Sequence, residues 1–454
     1  MKKITYIVLG IVVSTLSYSC KKFLDVNPKD QLSDAQTIVD GTSAQTAVRG
    51  IYNELESNDY YGYTFQTLGF FSSDNIQYVG SQTVNQQLTN HAVVSDLAAL
   101  NTSWAAIYNT INRANNVLAK VPPLATTSTF TDSLKNQLLG EAYFVRALSY
   151  FDLARTWGGV QLVLTPTVSA TDQTQAKRSS LADTYAQVLK DLTQAETLLP
   201  NITNRIRATR KTAYALHARY AIYQKDWANA ILYASKIIAD NNYSLIGPYD
   251  AFFANNATAT NESVFELYYN TVVTNSESYN WLPTTKGGVG WVTPTSSIVT
   301  LLNDPTIGGN RNTLLQTVVS SGITKYFGTL YYRVVGSSSG DDPAYIIRLA
   351  ELYLIRAEAE VNQNDLTDAA ADLNAVRNRA GLPATTAATQ ADLLLAIENE
   401  NRVEFAFEDH RWYDLVRTGR AQTVLGFTDA NKLLLPIPYA QLQVDPNLTQ
   451  NPGY

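Results

Sequence analysis

The sequence predicts a mainly α-helical protein in which a frame of tetratricopeptide-like helical repeats carries a loop-rich, aromatic insertion with short strands. Two observations lead to this prediction. Residues 207–240 and 346–379 share one pattern of helix, turn and helix. Between them, residues 251–300 hold only four charged side chains but eight aromatic ones, a composition that no amphipathic helix face explains.

The first segment of the chain has the pattern of a secretory signal. Lys2 and Lys3 precede an apolar run from Ile4 to Leu16, which is shorter than the roughly 20 residues that a membrane-spanning helix needs. Small residues then lead to Cys20, the only cysteine of the chain. We expect a signal peptide over residues 1–19 and lipidation of Cys20 after its removal. An ordinary signal followed by a chance cysteine is the alternative.

Composition excludes several classes of function. The net charge of −6 becomes −8 once Lys2 and Lys3 are removed, and this disfavours a nucleic-acid partner. Lipidation of the lone cysteine would leave no thiol for a disulfide or for catalysis. The three histidines are far apart in sequence, so we expect no metal site and no cofactor.

Helical patterns follow one another from about residue 40 to about residue 240. Apolar residues recur at helical spacing around Val48, around Trp104 and from Leu138 to Trp157. Pro and Gly pairs separate these segments. Four tryptophans lie in such helical phrases and are predicted to be buried in the core: Trp104, Trp157, Trp227 and Trp412.

A repeat follows, because small or apolar residues recur at a constant offset of 139 positions. The matched pairs are Ala215 and Leu354, Ala218 and Ala357, Asp226 and Asp365, Ala230 and Ala369, and Ala234 and Leu373. Small side chains at matched positions let paired helices approach closely, as a tetratricopeptide-type solenoid requires. Two unrelated amphipathic hairpins are the alternative explanation.

The insertion is the first candidate for a binding surface. Short strand-like runs, Ser263–Tyr269 and Leu330–Val335, alternate there with loops rich in Gly, Asn and Thr. Flat aromatic rings stack on the apolar faces of sugars, whereas amides bind sugar hydroxyls. The aromatic residues that lie among such amides, and that we therefore predict to contact a ligand, are Tyr268, Tyr279, Trp281 and Trp291. Burial in the core is the alternative for each of them.

Several phrases of the sequence resemble the SusD/RagB family from the signal to the last residue. The FLDVNP phrase after Cys20 and the SSDN phrase at residues 72–75 fit that family. The longer matching phrases are GEAYFVRALSYFDLARTWGGVQLV (140–163), LAELYLIRAEAEV (349–361), DLNAVRNRAGLP (372–383), ENRVEFAFEDHRWYDLVRTG (400–419) and LLLPIPYAQLQVDPNLTQNPGY (433–454).

The resemblance implies an outer-membrane lipoprotein, facing the cell exterior, that binds glycans and delivers them to a SusC-type TonB-dependent transporter. It implies four tetratricopeptide-like helix pairs, no catalytic residues, and a ligand face to which Asp74, Asn75 and Tyr78 contribute. The expected organisation is one SusD-like domain over residues 20–454, with helical-repeat parts over about 40–240 and 344–415, an insertion over about 241–343 and a C-terminal extension over 416–454.

A charged cluster near the C-terminus has two possible roles. Its members are Glu398, Glu400, Glu404, Glu408, His410, Arg411 and Arg417. The spacing of four between Glu400, Glu404 and Glu408 predicts one helix face, where two carboxylates could act as acid and nucleophile. We favour a structural role, in which the glutamates pair with Arg402, Arg411 and Arg417.

Two rival functions remain besides glycan binding. Helical repeats often bind polypeptide, so a peptide-binding or protein-interaction lipoprotein of RagB type is one alternative. A glycoside hydrolase is the other, although the charge-poor insertion offers few carboxylates.

Overall fold

The computed structural model describes residues 37–169, 176–320 and 322–454. The predicted signal and Cys20 lie outside the described residues. In chain order, the helices are α1 (Gly41–Leu55), α2 (Thr64–Ser72), α3 (Gln86–Thr89), α4 (Ala98–Lys120), α5 (Asp132–Trp157), α6 (Leu181–Leu198), α7 (Arg210–Tyr223), α8 (Trp227–Ile238), α9 (Glu277–Trp281), α10 (Ser296–Asn303), α11 (Leu349–Asn362), α12 (Leu366–Arg379), α13 (Gln390–Glu404), α14 (Arg411–Arg417), α15 (Ala421–Leu425) and α16 (Tyr439–Val444).

The strands are short and form two-stranded sheets. They are β1 (Ile76–Tyr78), β2 (Ser263–Leu267), β3 (Val292–Pro294), β4 (Leu315–Ser320), β5 (Ile323–Gly328) and β6 (Ala344–Arg348). In the described residues the antiparallel pairs are β1 with β3, β2 with β6 and β4 with β5. The protein is therefore mainly α-helical with few short strands, which confirms the predicted fold class.

The frame is a solenoid of helices that pack on their neighbours in succession. Helix α1 packs on α4, which packs on α5, and α5, α6, α7 and α8 continue the series. The next neighbour of α8 is α11, which also packs on α12 and α13. The two predicted repeat hairpins, α7–α8 and α11–α12, are thus adjacent in space although a long insertion separates them in sequence.

The repeat hairpins agree in detail, which confirms the prediction from the constant offset. Every matched apolar residue has at most 1% of its surface exposed. Asp226 and Asp365 are the N-caps of α8 and α12, and each accepts a hydrogen bond from the backbone N–H three residues later. A residue with positive φ precedes each cap, Lys225 at 55° and Asn364 at 65°, so both turns use the same backbone geometry.

Trp227 is a correction to the predicted core. Trp104, Trp157 and Trp412 are at least 98% buried, as expected. Trp227 is only partly buried, because it is the first residue of α8 and stands beside an exposed turn. It packs against the edge of the core and also lines a surface pocket.

The insertion leaves and rejoins the frame through the β2–β6 pair, in which Ser263 lies opposite Arg348. The second predicted strand, Leu330–Val335, is wrong, because the structure has only an isolated bridge there between Val334 and Gly340. The Arg333 backbone N–H donates to the Asp342 carboxylate instead of to a strand. The β4–β5 hairpin lies in a segment for which the sequence predicted no strand.

A buried arginine–glutamate network closes the base of the insertion. It consists of Glu262, Glu400, Glu404 and Glu408 with Arg311, Arg348, Arg377 and Arg379. Glu404, with 0% of its side chain exposed, accepts hydrogen bonds from the Arg311 and Arg348 guanidinium groups at 2.8 Å and from Arg379. Burial alone would raise the pKa of Glu404, but these three arginines lower it to about 2.

The network agrees with the predicted structural role, but the partners predicted for Glu400, Glu404 and Glu408 are wrong. Arg417 binds Glu358 and Asp414, while Arg411 binds Asp74. Helix α13 ends at Glu404, so Glu408 lies beyond it and the three glutamates do not share one helix. Their arginines come from distant segments of the chain, which spacing along one helix cannot reveal.

None of the helices in residues 37–169, 176–320 and 322–454 combines the length and apolar character that a membrane-spanning helix needs.

Candidate ligand-binding site

A groove of about 730 Å³, lined by both polar and apolar side chains, lies on the insertion side of the molecule. Its floor is the β1–β3 ribbon, in which Gln77 lies opposite Thr293. Helix α10 forms one side of the groove, and β5, which packs on β3, contributes Tyr326. Gln77, Val79 and Thr293 line the groove. Because side chains alternate along a strand, Tyr78, which stands between Gln77 and Val79, faces the opposite side of the ribbon.

The groove offers the groups that a neutral polar ligand needs. Tyr326 is 38% exposed and supplies an accessible ring. Amide and hydroxyl side chains line the same groove, namely Gln77, Thr293, Ser296, Thr300 and Asn303, together with the apolar Val79, Pro294 and Val299. The single carboxylate, Asp304, already accepts hydrogen bonds from the backbone N–H and the hydroxyl of Thr306, which lower its pKa.

Two of the predicted aromatic residues meet at the other face of the ribbon. The rings of Tyr78 and Trp291 have centroids 6.2 Å apart with their planes at 66°. Tyr78 is 4% exposed, and Trp291 is partly exposed. A Cβ on Gly80 would lie 2.3 Å from the Tyr78 hydroxyl oxygen and 2.7 Å from the Trp291 ring, so only glycine fits beside this pair.

Tyr279 joins the same region through the backbone, but Tyr268 lies just after a strand of another sheet. The Tyr279 carbonyl accepts a hydrogen bond from the Val289 N–H at 2.8 Å, and the Trp291 N–H donates to the neighbouring Asn280 carbonyl at 2.9 Å. Tyr268 follows β2, which pairs with β6 and not with the ribbon. Its side chain is 41% exposed.

Trp281 is a correction, because its ring offers no face to a ligand. It is 1% exposed, and Phe70 and Phe407 pack against it edge to face at 5.7 Å and 5.3 Å. The indole N–H donates to the buried Glu277 carboxylate at 2.8 Å, and Gln66 donates to its other oxygen at 2.7 Å. Burial raises the pKa of Glu277 well above its ordinary value. Trp281 thus fastens the insertion to the frame.

Asp74 and Asn75 are also held by contacts within the protein. The Asp74 carboxylate binds Arg411 at 2.8 Å and Arg402 at 2.9 Å. Asn75, which is 1% exposed, accepts a hydrogen bond from the Arg402 side chain at 3.0 Å and donates to the Arg402 carbonyl at 3.1 Å. Asn75 therefore cannot reach a ligand, and the SSDN phrase connects the ribbon to the C-terminal helices.

Sequence reasoning missed the contribution of the β4–β5 hairpin to the groove. Tyr326 and Lys325 of β5 line it. The β-branched residues before and after Gly322, among them Val318, Val319 and Ile323, were a usable signal for this hairpin. Among the residues that the structure describes, no group of three or more His, Cys, Asp or Glu side chains is placed to hold a metal ion.

Comparison with solved structures identifies the fold. A SusD superfamily protein from Bacteroides vulgatus aligns with a TM-score of 0.81 at 22% identity, over 91% of this chain and 99% of the other. A protein described as a laminarin-binding SusD-like protein aligns with a TM-score of 0.79 at 24% identity, over 92% and 100%. The fold is that of a SusD-type helical-repeat protein.

Comparison of sequences extends this result. The model of the SusD family matches residues 308–454, and a model described as "Starch-binding associating with outer membrane" matches residues 22–222. The SusD-like protein P38 of Formosa agariphila is 26% identical over 99% of this chain and 98% of its own length. A SusD-like protein of Bacteroides ovatus is 23% identical over 87% and 78%. The chain belongs to the SusD/RagB family, which confirms the resemblance.

Proposed function

We propose that this protein binds oligosaccharides or polysaccharides at the outer membrane and delivers them to a SusC-type TonB-dependent transporter. We further propose that a lipid on Cys20 anchors it, that it faces the cell exterior and that it catalyses no reaction. The groove on the β1–β3 ribbon carries the proposal, because it combines an exposed ring with amides and hydroxyls. One structural relative is described as laminarin-binding and one matching family model as starch-binding.

The chemistry of the groove fits a sugar chain. The apolar face of a pyranose ring can stack on Tyr326, while Gln77, Thr293 and Asn303 can exchange hydrogen bonds with its hydroxyls. A stacked ring contributes on the order of 0.5–1.5 kcal/mol beyond area burial, by analogy with aromatic pairs. A few such contacts, set against the cost of ordering the ligand, give an expected Kd of roughly 10 μM to 1 mM.

The arrangement of carboxylates supports binding rather than hydrolysis. A glycosidase needs two carboxyl groups about 5–9.5 Å apart across the scissile bond. Asp304 is the carboxylate that lines the groove, and it is engaged by Thr306. Glu400, Glu404 and Glu408 are bound by arginines in the interior.

The test is calorimetric titration of the protein with laminarin and starch oligosaccharides. Tyr326→Ala is expected to weaken binding about tenfold, which corresponds to about 1.4 kcal/mol. Trp291→Ala tests the Tyr78–Trp291 pair, and Tyr268→Ala tests whether the site extends to β2. Tyr439→Ala is the matched control, because this exposed tyrosine lies on α16. Wild-type affinity in Tyr326→Ala would remove the groove from the site, and wild-type affinity in Trp291→Ala would remove the Tyr78–Trp291 pair.

Salt dependence tests the class of glycan. We expect a neutral or weakly charged ligand, so the affinity should change little between about 0.05 M and 0.5 M salt. A steep loss of affinity with salt would indicate a strongly charged ligand instead.

The proposed anchor has its own test. Cys20→Ala should abolish partitioning of the protein into the detergent phase with membranes, because the acyl chains supply the affinity for the bilayer. Unchanged membrane association of the variant would place the anchor elsewhere.

A further inference from the structure

A second pocket, of about 460 Å³, lies at the junction of the repeat hairpins with the C-terminal helices. The turn between α7 and α8, the end of α11, and helices α13 and α14 surround it. It shares no lining residue with the groove on the β1–β3 ribbon. Its size is within the range of small-molecule sites.

One wall of this pocket is apolar and accessible. Leu395 is 49% exposed, and Leu394 lies beside it on α13. Trp227 adds a partly exposed ring from the first turn of α8. Covering an exposed leucine and a partly exposed tryptophan of one pocket with an apolar group is favourable, because it removes apolar surface from water.

The charged side chains that line this pocket carry more positive than negative charge. Asp74 is shared by Arg402 at 2.9 Å and Arg411 at 2.8 Å. Glu398 is shared by Arg420 at 2.9 Å and Arg411 at 3.7 Å. Three guanidinium groups therefore share two carboxylates.

Further positions strengthen this imbalance at the rim. Lys225 is exposed there, without a carboxylate in ion-pair distance among the residues that the structure describes. Burial lowers the pKa of Arg402, and repulsion from Arg411 adds to this effect. Arg417, deeper in the pocket, is balanced by Glu358 and Asp414. An added anion is thus favoured near the rim.

We propose that this pocket binds a small amphipathic carboxylate, with its apolar group against Trp227 and Leu395 and its carboxylate beside Arg420 and Lys225. A carboxylate forms charge-assisted, often bidentate, hydrogen bonds with guanidinium groups. A neutral sugar leaves the excess charge uncompensated and meets aliphatic side chains where it needs polar ones. Such a carboxylate comes either from a free organic acid or from the C-terminus of a peptide.

The first experiment measures ligand chemistry and distinguishes the two sources. The protein is titrated with indole-3-propionate and with the tripeptide Gly-Gly-Phe, each also as its amide. We expect at least one carboxylate to saturate the protein at about 1 mM or below, and its amide to bind at least tenfold more weakly. Tighter binding of indole-3-propionate assigns the pocket to a free acid, and tighter binding of the tripeptide assigns it to a peptide terminus. Equal binding of acids and amides, or no saturation by either acid, overturns the proposal.

The second experiment locates the binding site with matched variants. Arg420→Glu should weaken binding of the carboxylate that saturates the protein by at least tenfold. Arg113→Glu is its control, because Arg113 is 51% exposed and pairs with Glu54 at the same 2.9 Å. Leu395→Ser should also weaken binding, whereas Leu232→Ser, at an exposed leucine of α8, should not. Equal effects of test and control variants overturn the proposal.

A third measurement separates this pocket from the proposed glycan site. Arg420→Glu should leave oligosaccharide affinity unchanged, and a saturating oligosaccharide should not displace the carboxylate. Competition between the two ligands would overturn the assignment of a separate pocket.

Discussion

Glu404 is the residue whose removal should expose the energetics of the buried network most clearly. It bridges Arg311, Arg348 and Arg379, and its side chain is 0% exposed. The substitution Glu404→Gln keeps the size and one oxygen acceptor but removes the negative charge. The new amide N–H₂ then faces a guanidinium group that has no electrons to accept with.

The expected cost is worked out from the charges. The network holds four arginines and four glutamates, so its formal charge is zero in the native protein. Glu404→Gln leaves one uncompensated positive charge in the interior. Breaking a buried ion pair in this way costs about 3–5 kcal/mol. Because the entropy of unfolding is roughly 2.1 cal/mol/K per residue, the 454-residue length implies a fall in Tm of roughly 3–5 °C.

The assay compares thermal and urea unfolding of the wild type with this variant. Glu54→Gln is the control, since its partner Arg113 is 51% exposed, and such a pair contributes at most about 1 kcal/mol. Oligosaccharide affinity of the folded variant should equal that of the wild type. A Tm within 1 °C of wild type would refute the reasoning about buried charge. Lost binding at unchanged Tm would move the glutamates into a functional site.

Three further predictions follow from buried contacts. The pKa of Glu404 is about 2 in the folded protein, against an ordinary 4.5, so the stabilisation by its charge is complete above pH 4.5 and is lost as the pH falls toward 2. The difference in unfolding free energy between wild type and Glu404→Gln should therefore shrink over that range, and a constant difference would contradict this prediction. Gly69→Ala should lower the free energy of unfolding in urea by about 1–3 kcal/mol, because the new Cβ would lie 1.6 Å from an Asp409 carboxylate oxygen. A variant as stable as wild type would show that the Asp409 side chain moves aside freely. Trp281→Phe should lower the free energy of unfolding by about 1–3 kcal/mol, because it removes a hydrogen bond from the buried Glu277 carboxylate. Calorimetry should find unchanged oligosaccharide affinity, and weaker binding at full stability would return Trp281 to the site.

The sequence predicted the helical frame well because its signals are local or periodic. Matched small residues at a constant offset reveal two hairpins with the same packing, and Asp226 and Asp365 cap equivalent helices. The error at Trp227 has a local cause as well. A residue at the start of a helix can have an apolar neighbourhood in sequence and still stand at the edge of the solenoid.

The binding surface was predicted less well because composition does not determine burial. Trp281 and Trp291 are ten positions apart in the same insertion, yet one is buried by Phe70 and Phe407 while the other stays partly exposed. What separates them is a set of contacts with distant parts of the chain. The same limit explains the wrong partners of the glutamates, because Arg311 and Arg348 precede Glu404 by 93 and 56 residues.

The adjacency of α8 and α11 has a consequence for how such a protein can diversify. The segment between Ile238 and Leu349 starts and ends at neighbouring points of the solenoid, and the β2–β6 pair clamps it at its base. Because the entropy of closing a loop grows only with the logarithm of its length, doubling this segment would cost just about 0.6 kcal/mol. The insertion can therefore be lengthened, shortened or exchanged without a change in the packing of the helices that hold its two ends.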